Sequence, residues 1–250
     1  MRIRLDAAMV KRGLVGSRSE AARLIEEDAV TVAGSPAARA SRLVAPDEPI
    51  EIVRSRRYVS RGGEKMEGAV SSFSLALSGR SVIDVGSSTG GFTDCLLQHG
   101  AGRVFAVDVG RNQLHERIAA DARVTWREGT NIRDMGPGDL PFACSLLVAD
   151  LSFISLVMVL PAMSRLVTGA DGFAAEMVLL VKPQFEVGRE EASRGRGVIT
   201  DPVLHRTSVD KVAAAAVDLG WLLVGETESP LKGQDGNTEF LLHLRDAGRS

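Results

Sequence analysis

From Glu64 onward, short apolar runs rich in β-branched residues alternate with helical segments. A helical face of Met66, Ala69, Val70, Phe73 and Leu77 precedes the run Ser81-Val82-Ile83-Asp84-Val85. Gly102 to Val107, Val124 to Trp126, Ser145 to Ala149 and Met177 to Val181 follow, with helical segments between most of them. Leu222–Val224 and Phe240–Leu244 come after a helix at about Pro202–Leu219 and bring the strands to seven. Continuous apolar strands separated by helices predict an α/β fold, a doubly wound, mostly parallel sheet covered on both faces. Ligands of such sheets bind outside the carboxyl ends of the strands.

The first 65 residues differ in kind. They hold 13 Lys and Arg against 9 Asp and Glu, a net of +4, while the other 185 residues carry −6. Leu5, Ala8 and Met9 trace a helical face that Gly13 ends. Ser17 with Glu20 three residues later fits a capping box, opening a helix with Ala21, Leu24 and Ile25 on its apolar face. Val30–Val32, a turn at Ala33–Pro36 and Ile50–Val53 read as strands. Arg2, Arg4, Lys11, Arg12, Arg18 and Arg23 sit on or beside the helices. A basic head on an acidic body is suited to a polyanion. Residues 54–63, RSRRYVSRGG, read as a basic linker. It serves as a solvated hinge or as a second RNA-contacting strip, with Arg56, Arg57 and Arg61 on phosphates and Tyr58 available to stack. The expected division is 1–55, a linker at 56–63, and 64–250.

Composition removes several classes. With 44% hydrophobic residues and a net charge of −2, the chain is not globally disordered. Its longest apolar stretch, Leu151–Met163, spans 13 residues, whereas a membrane helix needs ~20. No secretory signal is legible at the start, so a cytoplasmic protein is expected. Cys95 and Cys144 lie far apart without metal-ligand spacing, and His99, His115, His205 and His243 are scattered, so no metal is expected.

The sharpest local signal is Asp84-Val85-Gly86-Ser87-Ser88-Thr89-Gly90-Gly91-Phe92-Thr93. It follows a strand and opens a helix, and Asp108 ends the next strand 22 positions after Gly86. Glycines let the backbone approach a ligand, and the acidic residue accepts from ribose hydroxyls. Ser88 stands where a dinucleotide fingerprint needs its second glycine, which disfavours a pyrophosphate and a nicotinamide oxidoreductase. S-adenosyl-L-methionine carries no phosphate and bears a sulfonium cation, so Asp84 and Asp108 suit it better. Asn131, after the third strand, either reads the adenine edge or serves as a turn residue.

Two further strand ends face the same crevice, Val148-Ala149-Asp150-Leu151-Ser152-Phe153 and Leu180-Val181-Lys182-Pro183-Gln184-Phe185. Asp150 and Lys182 thus emerge at the ligand edge, as a reacting pair or as an ion pair capping the sheet. Lys65 opens the helix before the first strand, and Glu239 puts a charge at the start of an apolar strand. For either alone, a surface role is the plainer reading. Phe153 and Phe185 stack on a base or pack in the core.

These segments resemble the TlyA family of ribosomal-RNA ribose methyltransferases. The carriers are residues 4–34, VSRGGEK (59–65), DVGSSTGGFT (84–93), AVDVGRNQL (106–114), VADLSFISL (148–156), LLVKPQFEVG (179–188) and GNTEFLLHL (236–244). The resemblance covers nearly the whole chain. One departure is Asp28, at a turn position that the family's RNA-binding domain usually fills with glycine.

The resemblance implies a small α+β RNA-binding domain, like that of ribosomal small-subunit protein S-four, joined to an FtsJ-type, Rossmann-like methyltransferase domain. It implies S-adenosyl-L-methionine as cofactor, ribosomal RNA or a ribosomal subunit as partner, and methylation of a cytidine 2′-hydroxyl. Large-subunit rRNA is the expected substrate, because the chain is similar to the shorter family members. The family's Lys-Asp-Lys-Glu tetrad falls on Lys65, Asp150, Lys182 and Glu239. Lys182 would act as general base. Lys65 would favour its neutral form by like-charge repulsion, and the two carboxylates would orient the lysines. Cofactor contacts would come from Asp84, Gly86, Ser87, Ser88, Thr89, Gly90, Gly91, Phe92, Asp108, Asn131 and Asp150. RNA contacts would come from Arg4, Lys11, Arg12, Arg18, Arg23, Arg56, Arg57, Tyr58, Arg61 and Phe153. Two rival readings remain, an RNA-binding module with an inactive methyltransferase fold and a hemolysin, a label that relatives carry. No membrane partner is expected.

Overall fold

The computed structural model describes residues 2–26, 29–52, 57–188, 191, 197–233 and 235–248. Val53, Arg54 and Arg56, and the departure at Asp28, lie outside the described residues. The chain forms two compact units, Met1–Ser60 and Arg61–Ser250.

The first unit runs β1 (Ile3–Arg4), α1 (Leu5–Lys11), α2 (Arg18–Glu26), β2 (Val30–Val32), β3 (Ser35–Pro36), β4 (Leu43–Val44) and β5 (Ile50–Ile52). Leu5, Ala8 and Met9 of α1 pack with Ala21 and Ile25 of α2 over Val30, Val32 and Ile50 of the sheet. The helical periodicity therefore marks the buried face correctly. The capping box forms only in part. Ser17 Oγ accepts from Glu20 N at 3.1 Å, but the Glu20 carboxylate reaches back to Gly16 N at 2.8 Å, one residue beyond the cap. The two-residue strands β1, β3 and β4 are too short to leave a periodic signal.

The second unit runs α3 (Gly62–Phe73), β6 (Ser81–Val85), α4 (Gly91–Gln98), β7 (Arg103–Val107), α5 (Glu116–Ala119), β8 (Val124–Arg127) and β9 (Leu146–Ala149). It continues through α6 (Leu156–Leu166), β10 (Glu176–Val181), α7 (Pro183–Glu186), α8 (Pro202–Asp218), β11 (Trp221–Glu228) and β12 (Phe240–Asp246). Helix α3 begins at Gly62, so the helix takes the last residues of the segment expected as linker.

The seven strands lie in the order β11-β12-β10-β9-β6-β7-β8. β6 to β10 are parallel, and β12 is antiparallel to both β10 and β11. Period-two alternation divides the side chains between the faces. Ile83, Val85, Met177, Leu179 and Val181 join α6 and α8 in one core. Asp84, Val178 and Leu180 point to the other face, where α3 and α4 pack. Trp221 locks the edge strand to α6 through Nε1 donating to Ser164 Oγ at 2.8 Å. Val181 pairs with Phe240, so the next positions in that register are Lys182 and Glu239. The ends of β6, β9 and β10 and the start of β12 therefore meet at one edge of the sheet.

Candidate active site

A cavity of about 480 Å³ opens at the carboxyl ends of β6, β7 and β9. Its wall includes Gly86, Ser88, Asp108, Asn131, Asp150 and Ser152. Gly86 is glycine for two reasons. Its φ is +81°, and a Cβ there would stand 2.5 Å from the Asp150 carbonyl oxygen. Asp108 is pinned by backbone amides, Oδ2 accepting from Ser88 N at 2.7 Å and Oδ1 from Gly110 N at 2.6 Å. The remaining lone pairs of that carboxylate suit a diol. Asn131 is a turn residue that also lines the cavity. Its Oδ1 caps a 3-10 turn by accepting from Arg133 N.

Not every residue of the glycine-rich loop reaches the cavity. Asp84, Ser87, Thr89, Gly90, Gly91 and Phe92 lie off its wall. Asp84 is fully buried, and its Oδ2 accepts from Thr93 Oγ1 of α4 at 2.6 Å while Oδ1 has no hydrogen-bond partner among the described residues. Burial pushes this carboxyl up to about 7, with Asp150 and Asp108 adding to the rise against the opposing Thr93 bond. Gly90 is the N-cap of α4 with φ +90°, and Leu114 and Ile118 pack where a Cβ would be. Phe92 is a core residue, 3% exposed.

Sequence reading missed Glu128, which follows β8. Its carboxylate accepts from Asn112 N at 2.6 Å, Gln113 N at 2.8 Å and Leu114 N at 3.1 Å. These amides hold its titration below the ordinary carboxylate range. They also fix the loop that carries Val109, Gly110 and Gln113 to the cavity.

Beside the cavity the four charged residues expected to act together form two ion pairs. Lys182 Nζ lies 2.5 Å from Asp150 Oδ1 and donates to Ser152 Oγ at 2.9 Å. The Asp150 contact is an ion pair by distance rather than by hydrogen-bond angle, and that oxygen takes no other partner among the described residues. Lys65 Nζ donates to Glu239 Oε2 at 2.5 Å. Lys65, Lys182 and Glu239 are all buried. For Lys65 and Glu239, the surface role that each suggested alone is overturned. α3 brings Lys65 across 174 positions of sequence to the start of β12. Gly233 leaves room there, since a Cβ on it would stand 2.6 Å from Glu239 Oε1. Asn237, also missed, is buried and ties residues 197 and 199 to this turn through Gly197 O and Ile199 N, each at 2.8 Å.

The two strand-end motifs hold each other. Glu186 Oε1 accepts from Leu156 N at 2.7 Å and Oε2 from Ser155 Oγ at 2.5 Å, so an acidic group from the KPQFE segment caps α6. The Phe153 and Phe185 rings stand 5.3 Å apart. Phe153 is 92% exposed with φ +65°, which overturns core packing for it and sets an aromatic on a strained backbone at the cavity wall.

Comparison with known proteins agrees with this geometry. The FtsJ-like methyltransferase family model matches residues 58–246, and the S4 domain model matches 3–50. The 16S/23S rRNA (cytidine-2′-O)-methyltransferase TlyA of Mycobacterium tuberculosis is 45% identical over 246 residues, 98% of this chain and 90% of that protein. The chain belongs to the TlyA family. Another TlyA, the 23S rRNA (cytidine-2′-O)-methyltransferase of Campylobacter jejuni, is 33% identical over 76% of this chain and 71% of its own length. A hemolysin-named structure from Streptococcus thermophilus superposes with TM-score 0.76 at 37% identity, covering 99% of this chain and 89% of that one.

The TlyA-family S4 unit does not leave all its expected cations to a ligand. Arg12 is committed to the carbonyls of Ala45, Pro46 and Glu48 at 2.7–3.0 Å, so it holds the fold. Arg4 and Arg18 both bond buried Asp6, which they hold far below the ordinary carboxylate range, the Arg4 bond being the largest cause. Lys11 and Arg23 are exposed. Arg61 donates to the Lys232 carbonyl at 2.7 Å. Tyr58 is 3% exposed with the exposed Arg57 guanidinium 5.1 Å from its ring centre, which corrects the expected free stacking face. Arg56 lies outside the described residues.

The expectation of scattered cysteines and histidines also needs correction. Cys95 and His99, four residues apart on α4 and its C-cap, meet Glu67 of α3. Their sequence distance from Glu67 hid the group.

Proposed function

We propose that this TlyA-family protein methylates the 2′-hydroxyl of a cytidine in ribosomal RNA, with S-adenosyl-L-methionine as donor. The observation that carries the reading is the double position of Asp150, which lines the cavity and also meets Lys182 at 2.5 Å. A donor held in the cavity and a base held beside it are then two functions of one strand end.

The cavity residues fit the donor. Asp108 offers acceptor lone pairs for ribose hydroxyls, Asn131 an amide for the adenine edge, and Gly86 a backbone without Cβ. When bound, S-adenosyl-L-methionine supplies a methyl group activated on a sulfonium. The chain does the rest. A ribose hydroxyl is a poor nucleophile while protonated. Lys182, in its neutral form, takes that proton as general base. Asp150 and Ser152 fix the direction of the Lys182 amine, and Glu239 fixes Lys65. Holding the oxygen in line with the methyl group contributes about 7–11 kcal/mol of barrier lowering. Exposed Phe153 stacks on the base, which must leave any helix to be reached. The S4 unit adds phosphate contacts through Lys11 and Arg23. Large-subunit rRNA is the substrate we assign, because 23S is the target common to the names of the two TlyA relatives.

Lys182→Ala is the direct test. Lys182 is not on the cavity wall, so donor affinity by calorimetry stays within about twofold. Transfer of tritiated methyl to rRNA from cells lacking the gene falls by about 10²–10⁴. Transfer near the wild-type rate removes Lys182 from the role of base. Mapping the 2′-O-methyl positions then identifies the subunit, and a mark confined to 16S rRNA overturns the assignment to 23S.

A further inference from the structure

Helices α3 and α4 pack against each other on one face of the sheet. Between them lies a group of side chains that the transferase site does not use. His99 Nε2 and Glu67 Oε2 stand 2.7 Å apart, and Cys95 Sγ lies 3.9 Å from the same Glu67 oxygen. One ligand atom from each of the three falls within 4.8 Å of the others. Cys95 is fully buried, while the Glu67 and His99 side chains are about a quarter exposed.

We propose that Glu67, Cys95 and His99 form a mononuclear site for a zinc-class divalent ion. The chemistry of the three donors fits. Thiolate, imidazole nitrogen and carboxylate oxygen are the donors that tetrahedral zinc accepts, and three protein ligands leave the fourth position to solvent. Cys and His four apart on a helix project from one side, and the third ligand comes from the neighbouring helix. Binding replaces the thiol proton with the metal and releases that proton to solvent. The same donors bind cobalt(II), which reports a thiolate ligand spectroscopically, and they disfavour magnesium or calcium, which prefer oxygen. The partly exposed Glu67 and His99 give the ion its entry to the buried sulfur. Helix α3 carries Lys65 two residues before Glu67, and α4 follows the glycine-rich loop. A bound ion therefore joins the two helices that hold the reacting lysine and the donor loop.

Cys144 is an internal control. It is buried like Cys95 but belongs to no group of possible ligands among the described residues. The experiment uses full-length protein stripped with chelator and titrated with cobalt(II), then zinc. One equivalent of cobalt gives a near-ultraviolet thiolate-to-cobalt band, zinc bleaches it, and zinc raises the midpoint of thermal unfolding. Cys95→Ala loses the band, and Cys144→Ala keeps it. His99→Ala and Glu67→Gln, at partly exposed positions that tolerate change, weaken zinc binding by a factor of about 100 or more. The proposal is overturned if no band appears at one equivalent, if the band survives in Cys95→Ala or is lost in Cys144→Ala, or if His99→Ala binds zinc as tightly as wild type.

Discussion

Gly86→Ala tests how closely the site depends on the approach of β6 to β9. Two costs add. At φ +81° an alanine loses about 1–2 kcal/mol against glycine. The new Cβ also stands 2.5 Å from the Asp150 carbonyl oxygen and 2.9 Å from a Leu151 methyl. That carbonyl has little freedom to retreat, because Asp150 N is bonded to Val85 O at 3.1 Å. Overpacking of this kind costs about 1–3 kcal/mol. The sum is about 2–5 kcal/mol, a fall of roughly 5–15 °C in the unfolding midpoint of a unit this size. Activity falls further than stability, because the displaced residue is the one that holds Lys182. A shift of about 1 Å there is worth about 10²-fold in rate. Gly79→Ala is the matched control, with φ +75° but nothing within 4 Å of its Cβ, so it bears only the backbone cost. Calorimetric melting and methyl transfer on both variants separate the two terms. Equal melting shifts for the two variants, with transfer retained in Gly86→Ala, would refute the steric argument.

Two further outcomes follow from the cavity's surroundings. Asp84 prefers its neutral form in the fold, so its contribution to stability is fully present below the unfolded value near 3.8 and is lost as pH rises to about 7. Urea unfolding of wild type therefore loses about 1.4 kcal/mol per pH unit relative to Asp84→Asn between about pH 5 and 7, whereas parallel curves sink the assignment. Glu128→Ala frees three loop amides and weakens donor binding about tenfold with kcat nearly unchanged, and Glu128→Gln falls between; an unchanged donor Kd shows that the loop holds itself.

The sheet and its cavity edge were legible because apolar runs closing just before Asp108, Asp150 and Lys182 leave a local, periodic trace. The charged partners were legible one by one, but their pairing was not. Glu239 finds Lys65 over 174 positions, and only the register of β10 with β12 sets Glu239 beside Lys182. Glu128 and Asn237 left no signal, since a side chain that bonds backbone amides needs no motif of its own. The glycine-rich loop misled in the other direction. Its residues read as one ligand-binding unit, yet Gly90 and Phe92 serve the packing of α4. In the basic head, charge counting identified the arginines but not that Arg12 and Arg61 already have carbonyl partners.

The buried ion pairs at the two edges of the sheet are built differently, and the difference is the one our proposed mechanism needs. At the amino edge, Arg80 is 1% exposed and donates to Glu176 at 2.6 Å, to Ser145 Oγ and O, and to the Ala174 carbonyl at 2.9 Å. Burial alone would raise Glu176, but His243, Arg80 and Arg245 outweigh it and hold the carboxyl at about 2. A guanidinium never gives up its proton in a protein, and here nearly every donor is matched. Among the described residues only His243 Nε2 is left without a hydrogen bond in that network, which joins β6, β10 and β12. At the carboxyl edge the cations are lysines, with one carboxylate each and, for Lys182, one hydroxyl among the described residues. Burying such sparsely bonded ammonium groups costs more than an apolar pair would, so they are poor devices for stability. A lysine is also the cation that can lose its proton and regain it. The general base we propose therefore stands at the edge that carries the cavity, and the arginine network stands at the opposite edge.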